Sequence, residues 1–387
     1  MKRITRTART AAIGVVVAAA TALFAAPANA ATAGAQHHSH SYSHSRAVFV
    51  QSDSTSGNTV VVYDRATDGG LTQAGVYPTG GVGGMLAGSA VDHLASEGSL
   101  TFDQDHHLLY AVNAGSSTVS VFAVDGDRLS LLQVVSSGGT FPVSVAVHGD
   151  LVYVLNALGG GSVQGYVQTP SGLQLVPSWN RSLGLDPSAT PQFTHTPGQI
   201  SFTPNGSALV VTTKANTNSI DVFPLAGRAH TPSAQPVVTV EAGAVPFGFT
   251  FDPAGRLEVT EVGPGTLDTY TVGRNGTLTA VGSAATGQAA TCWVVRAGDR
   301  LYTSNAGSAT LSGFQDGAKG ALTALGNTAT DPGTVDAAAS PDGRYIYVQT
   351  GAQGIVDGFR VNADGSLTPV GSVTVPGGVG GEGIAVS

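Results

Sequence analysis

Between Ser99 and Val135 the chain reads SLTFDQDHHLLYAVNAGSSTVSVFAVDGDRLSLLQVV, four short alternating stretches separated by polar turns. Ser99 to Phe102 predicts an inner strand a, Leu108 to Val112 strand b, Thr118 to Val124 strand c and Leu129 to Val135 strand d. Asp125-Gly126-Asp127 supplies the positive φ that a tight c-to-d hairpin needs. The same unit recurs along the chain, marked by an aromatic near the end of each strand c: Tyr63, Phe122, Tyr166, Phe223, Tyr270, Phe314 and Phe359. The intervals are 59, 44, 57, 47, 44 and 45 residues, and a four-strand unit with a period in the mid-forties predicts an all-β, seven-bladed propeller of antiparallel blades.

The first copy starts at strand b, Ala47 to Gln51, with no strand a before it. The chain ends on a short apolar run, Gly383 to Val386, that matches an inner strand and is expected to complete blade 1, closing the ring and removing an open sheet edge. Two intervals exceed the period. Their excess is expected in the connections from strand d to the next strand a, Pro78 to Gly98 and Pro177 to Gly198, on the face that also carries the b-to-c turns.

Ahead of the repeats, Lys2, Arg3, Arg6 and Arg9 precede the apolar stretch Ala11 to Ala26 and then Ala28-Asn29-Ala30, the layout of a signal peptide over residues 1–30. Residues 31–46, with His37, His38, His40 and His44 among serines, read as a polar leader without a fixed structure, and residues 47–387 as one propeller. Removing the signal leaves 13 basic against 25 acidic residues, a net charge of −12, which argues against nucleic acid or an anionic membrane as partner. Cys292 is the single cysteine and can form no disulfide within the chain. The expectation is a secreted monomer, with no membrane insertion and no cofactor. The His tract leaves a divalent metal open.

From Ala47 to Val386 the chain resembles the lactonase family of seven-bladed propellers, which includes 6-phosphogluconolactonases and carboxymuconate-lactonising enzymes. The resemblance lies in Gly98-Ser99-Leu100-Thr101 leading into Leu109 to Phe122 (LYAVNAGSSTVSVF), in Phe202 to Phe223 with its Thr-Pro-Asn-Gly turn, and in Pro246-Phe247-Gly248-Phe249 before Asp252-Pro253. Gln288 to Trp293 (QAATCW) and Ala339 to Val348 (ASPDGRYIYV) add to it, and the whole looks like an exported actinobacterial member. The resemblance implies a lactone-opening hydrolase. The family's Pro-His-x-His stretch corresponds to Thr194-His195-Thr196-Pro197-Gly198-Gln199, which keeps one histidine of the two.

Aligning the repeats places Ser52, Asn113, Asn156, Lys214, Glu261, Asn305 and Thr350 at the end of strand b. Glu261 and Lys214, in neighbouring blades, form the candidate catalytic pair, a general base with a cation for the developing oxyanion, and His195 a candidate third member. An ordinary ion pair is the alternative. Asn113, Asn156 and Asn305, with Glu97 and Arg181, are the candidate substrate-binding residues, although asparagine there also suits the start of a b-to-c turn. Nucleophile elbows, HExxH and paired cysteines are absent from the sequence. Glu97, Glu241, Glu261 and Glu382 all map near the loop face, which admits glycosidase chemistry. Few cations map there, so the expected substrate is an uncharged or weakly charged lactone or sugar derivative. A non-catalytic propeller that binds a glycan, small ligand or protein through the same face is the alternative function.

Overall fold

The computed structural model describes residues 46–227 and 230–387. The expected signal peptide and His-rich leader lie outside the described residues. Within them the chain is seven antiparallel sheets and no α-helix. No helix among the described residues is long and apolar enough to cross a membrane.

Blade 2 follows the reading of Ser99 to Val135 closely: Leu100–Asp103, Leu108–Asn113, Thr118–Asp125 and Arg128–Ser136 pair in that order. The remaining blades repeat it, and the inner strands meet around the ring, with strand b of blade 4, Ala208–Thr212, making the junction to strand a of blade 5, Pro246–Phe251, so the seven close around a channel. The ring closes as expected at the C-terminus. Ile384–Val386 pairs antiparallel with Ala47–Gln51, in the register Val48 to Val386 and Val50 to Ile384, and serves as strand a of blade 1.

The seven marker aromatics are all buried between blades. In blades 1, 2, 5, 6 and 7 a β-bulge in the c–d ladder falls immediately before the aromatic, at Val62/Tyr63, Val121/Phe122, Thr269/Tyr270, Gly313/Phe314 and Gly358/Phe359. The bulge adds the local twist that turns the ring into the inter-blade core. In blades 3 and 4 the same point is widened until strand d breaks in two, Gly172–Leu175 with Arg181–Ser182, and Thr231–Pro232 with Val237–Val240. Part of the second long interval is therefore an interruption of strand d at Pro177–Trp179 rather than connection. The true connection from blade 3 to blade 4 starts after Ser182, while that from blade 1 to blade 2 runs from Thr79 to Ser99, as expected.

Candidate functional site

The residues that close strand b are all buried, and most serve the blades themselves. Asn113 donates to Ser120 Oγ (2.8 Å) and Thr118 Oγ1 (3.2 Å), and accepts from Thr79 Oγ1 (2.6 Å) and Asn58 Nδ2 (3.1 Å) of blade 1. Asn305 donates to Ser312 Oγ and accepts from Thr291 Oγ1, and Asn156 donates to the Ser137 carbonyl. Side chains bound in this way fasten the b-to-c turn to its surroundings. Arg181 is likewise structural: its guanidinium donates to the carbonyls of Ser178, Asn180, Pro232 and Ser233, tying broken strand d of blade 3 to that of blade 4.

Lys214 and Glu261 form no ion pair. The Glu261 carboxyl lies within its own blade, where the Tyr270 hydroxyl donates to Oε1 at 3.4 Å and Oε2 has no partner. Burial pushes it up to about 8, helped by Asp268 and Glu241. The Lys214 ammonium points the other way, to the carbonyls of Ala95 and Phe193 (2.6 Å each) and Thr196 Oγ1 (3.0 Å). Burial draws it down to about 7, opposed by Asp92. The two do not hold equivalent positions: Thr213, opposite Ser219, stands level with Glu261 opposite Thr266, and Lys214 lies one residue further on, at φ 52° and level with Val262. His195 flanks this place without joining it: its Nδ1 lies 2.9 Å from both Thr194 Oγ1 and the Pro191 carbonyl.

Glu97 is the predicted site residue that reaches the channel. It precedes strand a of blade 2, and its Oε2 accepts the Val294 amide of blade 6 at 3.2 Å. A Cβ on Gly248 of blade 5 would fall 1.9 Å from that oxygen, so the carboxyl can lie there only because residue 248 is glycine. Around it converge four further buried acids. Glu382, before strand a of blade 1, has Oε2 3.2 Å from Ser96 Oγ and Oε1 3.4 Å from the Ser99 amide. Asp336, in strand a of blade 7, hydrogen-bonds the Glu382 carboxyl and accepts the amides of Ala337 and Ile384. Asp53 accepts the Glu382 amide (2.7 Å) and Gln51 Nε2. Asp92 accepts the amides of Leu94, Ala95 and Ser96 at 2.8 to 2.9 Å.

Desolvation dominates all five and raises every one, with like charge adding to it at Asp53, Glu97, Asp336 and Glu382, while at Asp92 the Lys214 charge opposes it. Asp92 rises to about 6, Asp336 to about 7 and Asp53 to about 8. Glu97 and Glu382 are held well above the usual carboxylate range, first by burial and then by the charge of Asp336. Such a cluster keeps protons at neutral pH and can both give and take them. It lies at the loop-face end of the channel. Toward the a-to-b turns the inner strands become half-exposed, at Thr101, Ser201, Thr250 and Ala337.

Sequence reasoning named Glu97 and Glu382 but missed Asp53, Asp92 and Asp336. Two signals were present. Glu97-Gly98 and Glu382-Gly383 stand at the same phase of their repeats, and Asp53 occupies a position filled elsewhere by Ala114, Ala157, Val262, Ala306 and Gly351, and in blade 4 by Lys214. At the other end, Asp252, Glu258 and Asp316 approach within 4.8 Å. Arg256 and Arg296 sit among them as ion-pair partners, so this group is an inter-blade charge network rather than a cation site.

A family model described as Lactonase, 7-bladed beta-propeller, matches residues 63–258 and 258–382. Among curated proteins none matches the chain by sequence. Solved structures of the same fold include a periplasmic gluconolactonase of Pseudomonas aeruginosa, 19% identical, with a TM-score of 0.70 over 88% of this chain and 98% of that one. A protein from Lactobacillus plantarum is 21% identical, with a TM-score of 0.70 over 89% and 99% of the two chains. A candidate 6-phosphogluconolactonase from Bacteroides fragilis is 20% identical, with a TM-score of 0.67 over 90% and 99%. At these identities the likeness is one of fold.

Proposed function

The chain belongs to the lactonase family of seven-bladed β-propellers, and from that premise we propose that it is an exported hydrolase opening a neutral lactone or sugar-derived cyclic ester at the carboxylate chamber. The observation that carries the reading is the set of buried acids converging at one end of the channel, in which Asp336, raised to about 7, lies beside Glu97 and Glu382, both held well above the usual carboxylate range by burial. Lactone hydrolysis needs one group to draw a proton from the attacking water and another to give a proton to the departing ring oxygen. Asp336 takes the first proton as water adds to the carbonyl carbon. Glu97 gives the second as the ring C–O bond breaks. The initial proton states are then restored by transfer through the shared Asp336–Glu382 hydrogen bond and solvent.

The cation electrostatically linked to this chamber, Lys214, is engaged by two carbonyls and a hydroxyl, so a phosphoryl group entering there meets carboxyls without a free positive partner. Neutral substrates are therefore favoured over phosphorylated ones. The test is a panel of five- and six-membered lactones, neutral and phosphorylated, with the mature protein and Glu97→Gln. Hydrolysis of a neutral lactone is expected, and Glu97→Gln lowers kcat about 10²- to 10⁴-fold with little change in melting temperature. If no lactone is opened, the reading fails and a binding function through the same face takes its place.

A further inference from the structure

The channel is roofed at its loop-face end by the two long connections, and both meet at one side chain. From the first connection come the Ala95 carbonyl and from the second the Phe193 carbonyl and Thr196 hydroxyl, all three held by the Lys214 ammonium. The connections also touch each other directly: Gln192 Oε1 accepts the Ala87 amide at 2.9 Å, and the Ala87 carbonyl accepts the Phe193 amide at 3.4 Å. The residues immediately after Ala95 enter the chamber. The Ser96 carbonyl accepts the Trp293 indole N–H at 2.6 Å, the Ser96 hydroxyl lies against Glu382, and the next residue is Glu97.

Lys214 stands one residue past the asparagine register, where other blades carry Ala114, Ala157, Val262, Ala306 and Gly351, none long enough to reach a loop. Lysine in blade 4 instead reaches out to two loops, and it does so without a direct ion pair: its acceptors are neutral, while the Asp92 charge belongs to the first loop itself. A fastening of this kind differs from an apolar one. On opening, an ammonium held by carbonyls regains its hydration, which offsets much of the loss of three hydrogen bonds, whereas a buried apolar plug gains nothing from water.

We propose that Lys214 is the positioning residue of the site, fastening both long loops into one roof over the carboxylate chamber that lifts as a unit to admit substrate. This rests on the reading of the chamber as the reaction site. Its motion, however, has a reporter independent of turnover. Cys292, the single cysteine, is buried in strand a of blade 6 beside Trp293 and is electrostatically linked to Lys214.

The experiment measures the rate at which a small alkylating reagent labels Cys292 in the native mature protein, with Trp293 fluorescence as a second signal. In Lys214→Met, labelling is expected to accelerate at least about tenfold with a melting temperature near that of the unmodified protein, and Lys214→Arg returns toward the original rate. Loss of the ammonium also removes a charge that favours the thiolate, so by electrostatics alone labelling would slow, and acceleration reports opening. Gln192→Ala, which removes the side-chain hydrogen bond between the loops while the Phe193–Ala87 backbone bond and the chamber residues stay in place, accelerates labelling in the same sense. Unchanged labelling in both Lys214→Met and Gln192→Ala, or labelling that occurs only with global unfolding, overturns the roof. Faster labelling in a protein that opens no lactone leaves the roof standing and sinks the proposed activity alone.

Discussion

Glu97 and Glu382 each stand before a glycine that opens an inner strand, and the backbone there turns the carboxyl into a chamber where no solvent compensates its charge. The physical signature is pH dependence of stability. Asp336 titrates at about 7 in the fold against 3.8 in the unfolded chain, so between these values the native state binds the extra proton. Its contribution to stability is full below about pH 4 and is lost as pH rises to about 7. Asp53, Glu97 and Glu382 act in the same direction. Lys214 has the opposite sign, its folded value of about 7 lying below 10.5, but it acts only above neutrality. The melting temperature is therefore expected to fall from pH 5 to pH 7, and Asp336→Asn flattens that slope. A calorimetric series across this range checks it, and a melting temperature that climbs over the same interval contradicts the assignment.

The four strands of blade 2 were legible from alternation and turn residues alone, because their hydrogen bonds are made to neighbours close in sequence. The broken outer strands of blades 3 and 4 were not: in blade 3 the interruption at Pro177–Trp179 places the Trp179 ring in a stack on Tyr153 of strand b, a contact that a linear reading does not contain. Two elements make sharp predictions. Deleting Gly383 to Ser387 removes the inner strand paired to Val48–Val50 and unpairs blade 1. Loss of several kcal/mol of burial should lower the melting temperature by about 10 °C or more, at about 2 °C per kcal/mol for a large domain. A truncated protein that melts within a few degrees of the intact one would show that closure contributes little. Between blades 5 and 6, Arg296 pairs with buried Glu258 and with Asp316 at 3.2 Å. Arg296→Met leaves the Glu258 carboxyl without its cation, and destabilisation of about 3–5 kcal/mol is expected by chemical denaturation at pH 8. It should be smaller at pH 5, where Glu258, already raised to about 7 chiefly by burial, is protonated.

As a whole molecule the propeller is a ring whose two ends are one blade, so residues 336 and 382 come to lie beside residues 53, 92 and 97. The sequence by itself determined the architecture: seven copies, four strands in each, and closure by the last strand. Each of these follows from short-range periodicity and turn chemistry, which a linear reading contains in full. It also pointed to Glu97, through its place before an inner strand. What only the tertiary structure decided is which side chains meet. The repeat alignment sets Lys214 level with Glu261, yet in the fold it lies one residue beyond that position and leaves its blade for the loops, while Glu261 turns to Tyr270. The five acids share a chamber because inner strands from several blades, far apart in sequence, converge on one axis. That convergence also strips their carboxyls of water, and it is the resulting desolvation, invisible in any local motif, that turns ordinary acidic residues into groups able to exchange protons at neutral pH.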